Sequence, residues 1–260
     1  MPPIAVAATA PFGADVLERL ARRHEIAFVL TRPDAPAGRG RRLVPPPAKV
    51  VAERLGLRVL QPERPELDDV ETVVLAAYGL LIPQSLLDRA LWLNVHPSLL
   101  PRWRGAAPVE RAIMAGDRET GVTIHETVAE LDAGPIAAQA SFPIGDDEDA
   151  GAVFARSAEV AADLLEGVLV NPSFEPQPDQ GVTYADKIRP ADRELDLSDP
   201  EQAARVVRAL SPHIGARATL HGRDAIVWRA RVEDDEFVPV EVQPAGKRRM
   251  SYDEFLRGLR

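Results

Sequence analysis

No cysteine occurs among the 260 residues, which excludes disulfide staples, thiolate zinc sites, iron–sulfur clusters and a cysteine nucleophile. The redox compartment is therefore unreadable from cysteine spacing. Long apolar runs are also missing: the longest, Val73 to Pro83, falls far short of the ~20 residues a spanning helix needs. The stretch from Met1 to Ala10 is apolar but has no cationic leader, so it reads as a buried first strand rather than a secretory signal, and a soluble cytoplasmic protein without membrane association is expected. Positive charge is scarce. With 31 Lys and Arg against 40 Asp and Glu the net charge is -9, which argues against a surface built wholly as a glove for nucleic acid but leaves room for a local basic patch. The chain contains no Gly-x-Gly-x-x-Gly turn for a dinucleotide, no His-Glu-x-x-His zinc helix and no Gly-x-Ser-x-Gly elbow around Ser98. No internal repeat or low-complexity tract stands out.

What is present fits an ordinary globular protein, 45% hydrophobic and 27% charged, and at ~150 residues per domain the length suits a large core plus a smaller module. Strand-like runs alternate with helical patterns: Ile4–Thr9, Gly13–Arg23, Glu25–Thr31, Val70–Tyr78 and Leu91–His96. That order predicts a Rossmann-like α/β fold, a parallel-rich sheet with flanking helices. A helix is expected over Pro108–Met114, stopped by Gly116, then strands over Gly121–Val128 and Ile136–Ile144, and a long helix over Ala150–Val170. The proline-rich stretch 171–180 reads as a linker between a catalytic domain, residues 1–170, and a small β-rich module, residues 181–260.

Chemistry concentrates in Asn94-Val95-His96-Pro97. Two apart on a strand, Asn94 and His96 share one face, and Pro97 places them near the strand's carboxyl end, where open α/β sheets hold their ligands. Asp132 stands before Ala133-Gly134, at a tight turn. An amide, an imidazole and a carboxylate suffice for acyl transfer between nitrogens: an oxyanion donor, a proton acceptor and a group that orients or charges the imidazole. On spacing alone a satisfied structural histidine is the readier reading of His96. His24, His125, His213 and His221 show no partner spacing for a metal and read as structural or surface residues. The composition adds a second clue: Arg32, Arg39, Arg41, Arg42 and Lys49 face one acid, Asp34, over residues 32–49. Such a loop can neutralise phosphates, although on composition alone a solvated charged loop is the readier reading.

The run Asn94-Val95-His96-Pro97-Ser98-Leu99-Leu100-Pro101-Arg102-Trp103-Arg104-Gly105, with Gly121-Val122-Thr123-Ile124 and Leu131-Asp132-Ala133-Gly134, resembles the signature of the 10-formyltetrahydrofolate-dependent formyltransferases. The loop Arg32–Arg42, the run Thr183-Tyr184-Ala185-Asp186-Lys187-Ile188 and the stretch Val242–Met250 resemble the branch whose acceptor is methionyl-tRNA. The resemblance implies formyl transfer from 10-formyltetrahydrofolate to the α-amine of initiator methionyl-tRNA, with no metal, by a monomer. It assigns Asn94, His96 and Asp132 to catalysis. It assigns the folate to Ala77, Tyr78, Gly79, Leu80 and Leu81, to Ser98, Leu99, Leu100 and Pro101, and to Val128 and Leu131. It assigns tRNA to Arg32, Arg39, Arg41, Arg42 and Lys49, to Arg102 and Arg104 at the acceptor entrance, and to Lys247, Arg248 and Arg249 in an OB-like C-terminal module. Two places depart from the family pattern. The turn Ala7–Phe12 lacks the usual Gly-Thr-Pro, and the acidic join Arg231–Val238 replaces additional strands, so a shortened barrel with a weaker hold on tRNA is expected. Formylation of an amino-sugar nucleotide or hydrolysis of the formyl donor are the alternatives sharing the same three polar residues; a non-catalytic tRNA-binding module is a third, disfavoured by their presence.

Overall fold

The computed structural model describes residues 2–37, 42–62 and 67–259. Along the chain run β1 (Ile4–Ala8), α1 (Pro11–Leu20), β2 (Ile26–Leu30), β3 (Ala35–Ala37), β4 (Arg42–Val44), α2 (Pro47–Arg54), β5 (Val59–Leu60), β6 (Thr72–Ala76), α3 (Gln84–Leu87) and β7 (Leu91–His96). They continue with β8 (Arg104–Gly105), α4 (Pro108–Ala115), β9 (Glu119–Glu126), β10 (Ile136–Pro143) and α5 (Ala150–Val170). The last third holds β11 (Tyr184–Ala185), α6 (Pro200–Leu210), β12 (Ala216–Leu220), β13 (Arg223–Glu233), β14 (Glu236–Pro244), β15 (Met250–Ser251) and α7 (Tyr252–Arg257). The chain divides into two compact units, one of residues 1–104, 121–141 and 155–183, the other of residues 105–120, 142–154 and 184–260.

The first unit is built on a seven-stranded sheet in the order β10-β9-β7-β6-β1-β2-β5. From β7 through β6, β1 and β2 to β5 the pairs are parallel, and β9 then lies antiparallel to β7. All five residues of β1, Ile-Ala-Val-Ala-Ala, are buried, as a central strand covered on both faces requires. Its alanines leave room for large neighbours: Phe28, Leu30, Tyr78 and Trp92 pack in one cluster with Ala5 and Ala7. Each fully buried large apolar side chain contributes about 1.5–3 kcal/mol. The turn from β1 into α1 has no glycine and is tied to the residues just after β6. Thr9 Oγ1 donates to the Tyr78 carbonyl at 2.8 Å, Ala10 N–H donates to the Ala77 carbonyl at 3.2 Å, and Pro11 opens the helix. Gly13 follows because a Cβ there would lie 2.2 Å from the Ala76 oxygen.

In the second unit β12, β13, β14 and β15 form an antiparallel sheet in chain order, over a core of Val207, Leu210, Val227, Val242 and Phe255. The expected β-rich module is thus present, as an open four-stranded sheet among the described residues. The acidic join is a two-residue hairpin turn: Asp234 and Asp235 connect β13 to β14 with φ of 49° and 60°. Two successive left-handed residues match the right-handed twist of the strands they join, and Asp tolerates that conformation better than most side chains. Gly116, expected to stop a helix, closes α4 with φ 76°.

Candidate active site

β7 ends at His96, as its sequence predicts, and β9 lies beside it in a register that sets Asn94 opposite His125 and His96 opposite Thr123. Directly opposed residues of an antiparallel pair project to the same face. Four polar side chains, two per strand, therefore meet on one side of the sheet. The fifth group, Asp132, arrives from the connection between β9 and β10.

The hydrogen bonds fix the state of each ring. His96 Nε2 lies 2.8 Å from the Trp103 carbonyl oxygen, which only accepts, so Nε2 carries the proton. Nδ1 then presents a lone pair, 3.7 Å from Asp132 Oδ2. Burial lowers the His96 pKa most, and His125 adds to that; Asp132 and the Trp103 carbonyl act in the opposite direction. The net result is a neutral imidazole with one bare nitrogen. His125 is held by the same logic: Nδ1 donates to the Glu126 carbonyl at 2.9 Å, and Nε2 accepts from Asn94 Nδ2 at 3.1 Å. Asn94 Nδ2 also donates to Asp132 Oδ1 at 3.1 Å, so both hydrogens of its amide nitrogen are engaged. An oxyanion arriving beside Asn94 takes one of these two bonds from His125 or Asp132.

Asp132 has φ 49°, a left-handed backbone that costs a non-glycine residue on the order of 1–3 kcal/mol and survives only where the surroundings enforce it. Gly134 is part of that enforcement, because a Cβ there would sit 1.8 Å from the Glu126 oxygen. On the other flank, Thr123 Oγ1 donates to the Ser98 carbonyl at 2.7 Å and accepts from Leu100 N–H at 3.1 Å. Gln139 Nε2 donates to both Thr123 Oγ1 and the Leu100 carbonyl. These bonds hold the 98–101 loop beside the tip of β7.

The structure therefore brings Asn94, His96 and Asp132 together. It adds two residues that the sequence reading passed over. His125, read as structural or surface, is buried against Asn94 and Asp132; the two-residue step from Thr123 to His125 was a signal, but only the antiparallel register reveals it. Gln177, inside the proline-rich stretch, donates to the carbonyls of Asp132 and Gly134. Of the residues assigned to folate, Ala77, Gly79, Leu81, Val128 and Leu131 are exposed, whereas Tyr78 and Ser98 are buried and the Ser98 hydroxyl donates to the Arg102 carbonyl. Leu80, Leu99 and Pro101 are half-buried and Leu100 is buried.

The basic residues fall into different environments. Arg32, Arg42 and Arg102 are exposed, the last with its guanidinium 4.4 Å from the Trp103 ring centre. Lys49 is paired with Asp34 at 2.8 Å, and the Gln61 amide together with Lys49 holds the Asp34 carboxyl below its ordinary range. Arg104, expected at the acceptor entrance, is buried and gives its guanidinium to Gln177 Oε1. In the second unit Lys247, Arg248 and Arg249 are exposed, and Arg249 stacks over Trp228 at 3.5 Å. Arg39 and Arg41 lie outside the described residues.

A family model described as formyl transferase matches residues 4–169. That match covers more than half of the chain, and the chain belongs to the formyl transferase family. A methionyl-tRNA formyltransferase of Alcanivorax borkumensis is 40% identical over 299 residues, spanning 98% of this chain and 91% of that protein. One of Halorhodospira halophila is 48% identical over 221 residues, 78% of this chain and 71% of that protein. Within the formyl transferases, then, this chain sits among the methionyl-tRNA formyltransferases. The 299-residue alignment exceeds the chain's own 260 residues, so the first relative carries internal stretches that are lacking here. Among solved structures, HypX of Aquifex aeolicus in complex with tetrahydrofolic acid matches with TM-score 0.69 at 18% identity, over 98% of this chain and 47% of that one. The methionyl-tRNA formyltransferase of Clostridium thermocellum matches with TM-score 0.66 at 14% identity, over 94% and 99%. At these identities the likeness speaks for the fold alone.

Proposed function

We propose that this chain transfers the formyl group of 10-formyltetrahydrofolate to the α-amine of methionine esterified to initiator tRNA. The acceptor is carried by one observation, the 40% identity to a methionyl-tRNA formyltransferase over 98% of this chain and 91% of that protein. The chemistry follows from the neutral His96. The amine nitrogen attacks the formyl carbon, and a new C–N bond forms as the carbonyl electrons move onto oxygen. An Asn94 N–H, released from His125 or Asp132, donates to that oxyanion. His96 Nδ1 takes the proton that the amine loses, and the Asp132 carboxylate 3.7 Å away stabilises the imidazolium. Collapse of the intermediate breaks the bond from the formyl carbon to folate N10, and the proton on His96 goes to N10. No covalent enzyme intermediate is needed.

Ala77, Gly79 and Leu81, with Val128 and Leu131 of the 128–131 loop, are the proposed folate contacts, supported by the solvent exposure of these residues. Exposed Arg32, Arg42 and Arg102 in one unit, and Lys247, Arg248 and Arg249 in the other, are the proposed phosphate contacts. Initiator tRNA as acceptor fits a cytoplasmic location; among the described residues no helix is long and apolar enough to cross a membrane.

The test offers the enzyme 10-formyltetrahydrofolate with methionyl-tRNA, with an amino-sugar nucleotide, or with water alone. Formylated methionyl-tRNA as the dominant product is expected. Transfer to the sugar, or release of formate at the same rate without any acceptor, would replace this reading with one of the alternatives.

A further inference from the structure

Gln177 stands in Glu175-Pro176-Gln177-Pro178, between two prolines that offer no N–H and restrict the backbone. Two residues earlier, Glu175 exchanges backbone hydrogen bonds with Ile136 at 2.7 and 2.9 Å, so the chain reaches Gln177 in a fixed orientation. Every hydrogen-bonding position of the side-chain amide is in use. Nε2 donates to the carbonyls of Asp132 and Gly134, each at 2.8 Å. Oε1 accepts from Arg104 Nε at 3.1 Å and Arg104 Nη2 at 2.7 Å. Farther along the same strap, Thr183 Oγ1 accepts from Trp103 N–H at 2.9 Å. The two loops joined in this way are the ones that hold the reacting groups: Trp103 fixes the His96 tautomer through its carbonyl, and Asp132 supplies the carboxylate facing Nδ1.

We propose that Gln177 is a positioning residue for formyl transfer, holding Asp132 in its left-handed backbone conformation and tying the Asp132 loop to Arg104 so that the carboxylate and the His96 imidazole stay face to face. The transfer itself rests on the function proposed above. The residue type follows from the geometry. Glu accepts from Arg104 but cannot donate, and it would set a carboxylate against two carbonyl oxygens; Asn is one methylene too short to span both loops. A left-handed non-glycine backbone released from its restraints relaxes towards ordinary conformations, and that relaxation swings the Asp132 side chain away from His96.

The experiment compares wild type with Gln177→Glu in the full chain, reading kcat and KM for methionyl-tRNA and, separately, the His96 titration of the free enzyme by NMR. Misplacing a catalytic group by about 1 Å costs on the order of 10- to 100-fold, so kcat is expected to fall by that factor with KM for methionyl-tRNA unchanged. The His96 midpoint is expected to move to lower pH, because the carboxylate that raises it has moved away. A merely structural role would leave that midpoint where it was. A kcat at the wild-type level, or a fall in kcat with an unmoved His96 midpoint, overturns the proposal. Should Gln177→Glu fail to fold, Arg104→Lys, which keeps the charge and loses the forked donation to Oε1, is judged by the same two readouts. If the wild type does not formylate methionyl-tRNA, the functional reading falls, and the His96 titration still decides the role of Gln177.

Discussion

Burial and the Trp103 carbonyl act on the two nitrogens of His96 in different ways. The carbonyl fixes the proton on Nε2, and burial makes a second proton on Nδ1 unfavourable, so the proposed proton transfer to Nδ1 needs no change of tautomer. The consequence for pH has a definite sign. A histidine whose folded pKa lies below the ordinary ~6.5 stays neutral until the pH falls below that value. Followed by NMR in the free enzyme, the His96 imidazole should therefore titrate below about pH 6.5, a readout that the titrating α-amine of methionyl-tRNA does not enter. A midpoint at or above that value would mean that His96 is not the neutral imidazole described here. Folding stability follows the same direction: the unfolded chain binds the extra proton first, so stability present above about pH 6.5 is lost as the pH drops through the folded pKa. At this scale the placing of Asn94 and His96 on one face of a strand end was legible, because strand alternation and a terminal proline are local signals, as was an acid at a tight turn for Asp132. The assignment of all three to catalysis came from the resemblance. His125 was not legible, since only the pairing of β9 with β7 makes it Asn94's neighbour.

The elements were easier to read than their partners. β7 and α5 fall at the residues their patterns predict, because continuous apolar runs and a long one-faced helix carry strong signals. α2 was hidden by the run Pro45-Pro46-Pro47, although Pro47 occupies the first helical position where proline is well tolerated. α7 was passed over despite Ser251 and Glu254, which cap each other reciprocally at its start. The proline-rich stretch read as a linker carries Gln177, whose importance depends on tertiary crossings that no local pattern encodes. The connection from β9 to β10 has little room, because Gly134 must pass within contact of Glu126 and the turn must still deliver Asp132. Gly134→Ala is expected to lower kcat by about 10-fold or more through displacement of that turn. The fold should persist, with thermal unfolding and far-UV circular dichroism as the check, and unchanged turnover in a folded Gly134→Ala enzyme would show that the turn need not be this tight.

For the whole molecule, an acidic chain must hold a polyanion through local patches. Lys49 is already neutralised by Asp34, whereas Arg42 is exposed. Arg42→Ala should weaken methionyl-tRNA binding and reduce the steepness of its salt dependence by about 0.7–0.9 per lost phosphate contact. Lys49→Ala should leave the slope nearly intact, and equal slopes for all three proteins would remove Arg42 from the tRNA surface. The second unit carries the other proposed phosphate contacts, on a short sheet. Its Asp234-Asp235 hairpin turns β13 directly back into β14, and Lys247, Arg248 and Arg249, beyond the far end of β14, are exposed. The most direct test of the account is the single-turnover rate of formyl transfer to methionyl-tRNA by His96→Ala and by Asn94→Ala, with enzyme in excess and tRNA binding measured alongside. Each variant is predicted to bind tRNA as the wild type does and to transfer the formyl group about 100-fold more slowly or worse. Transfer at the wild-type rate by either one would contradict the account.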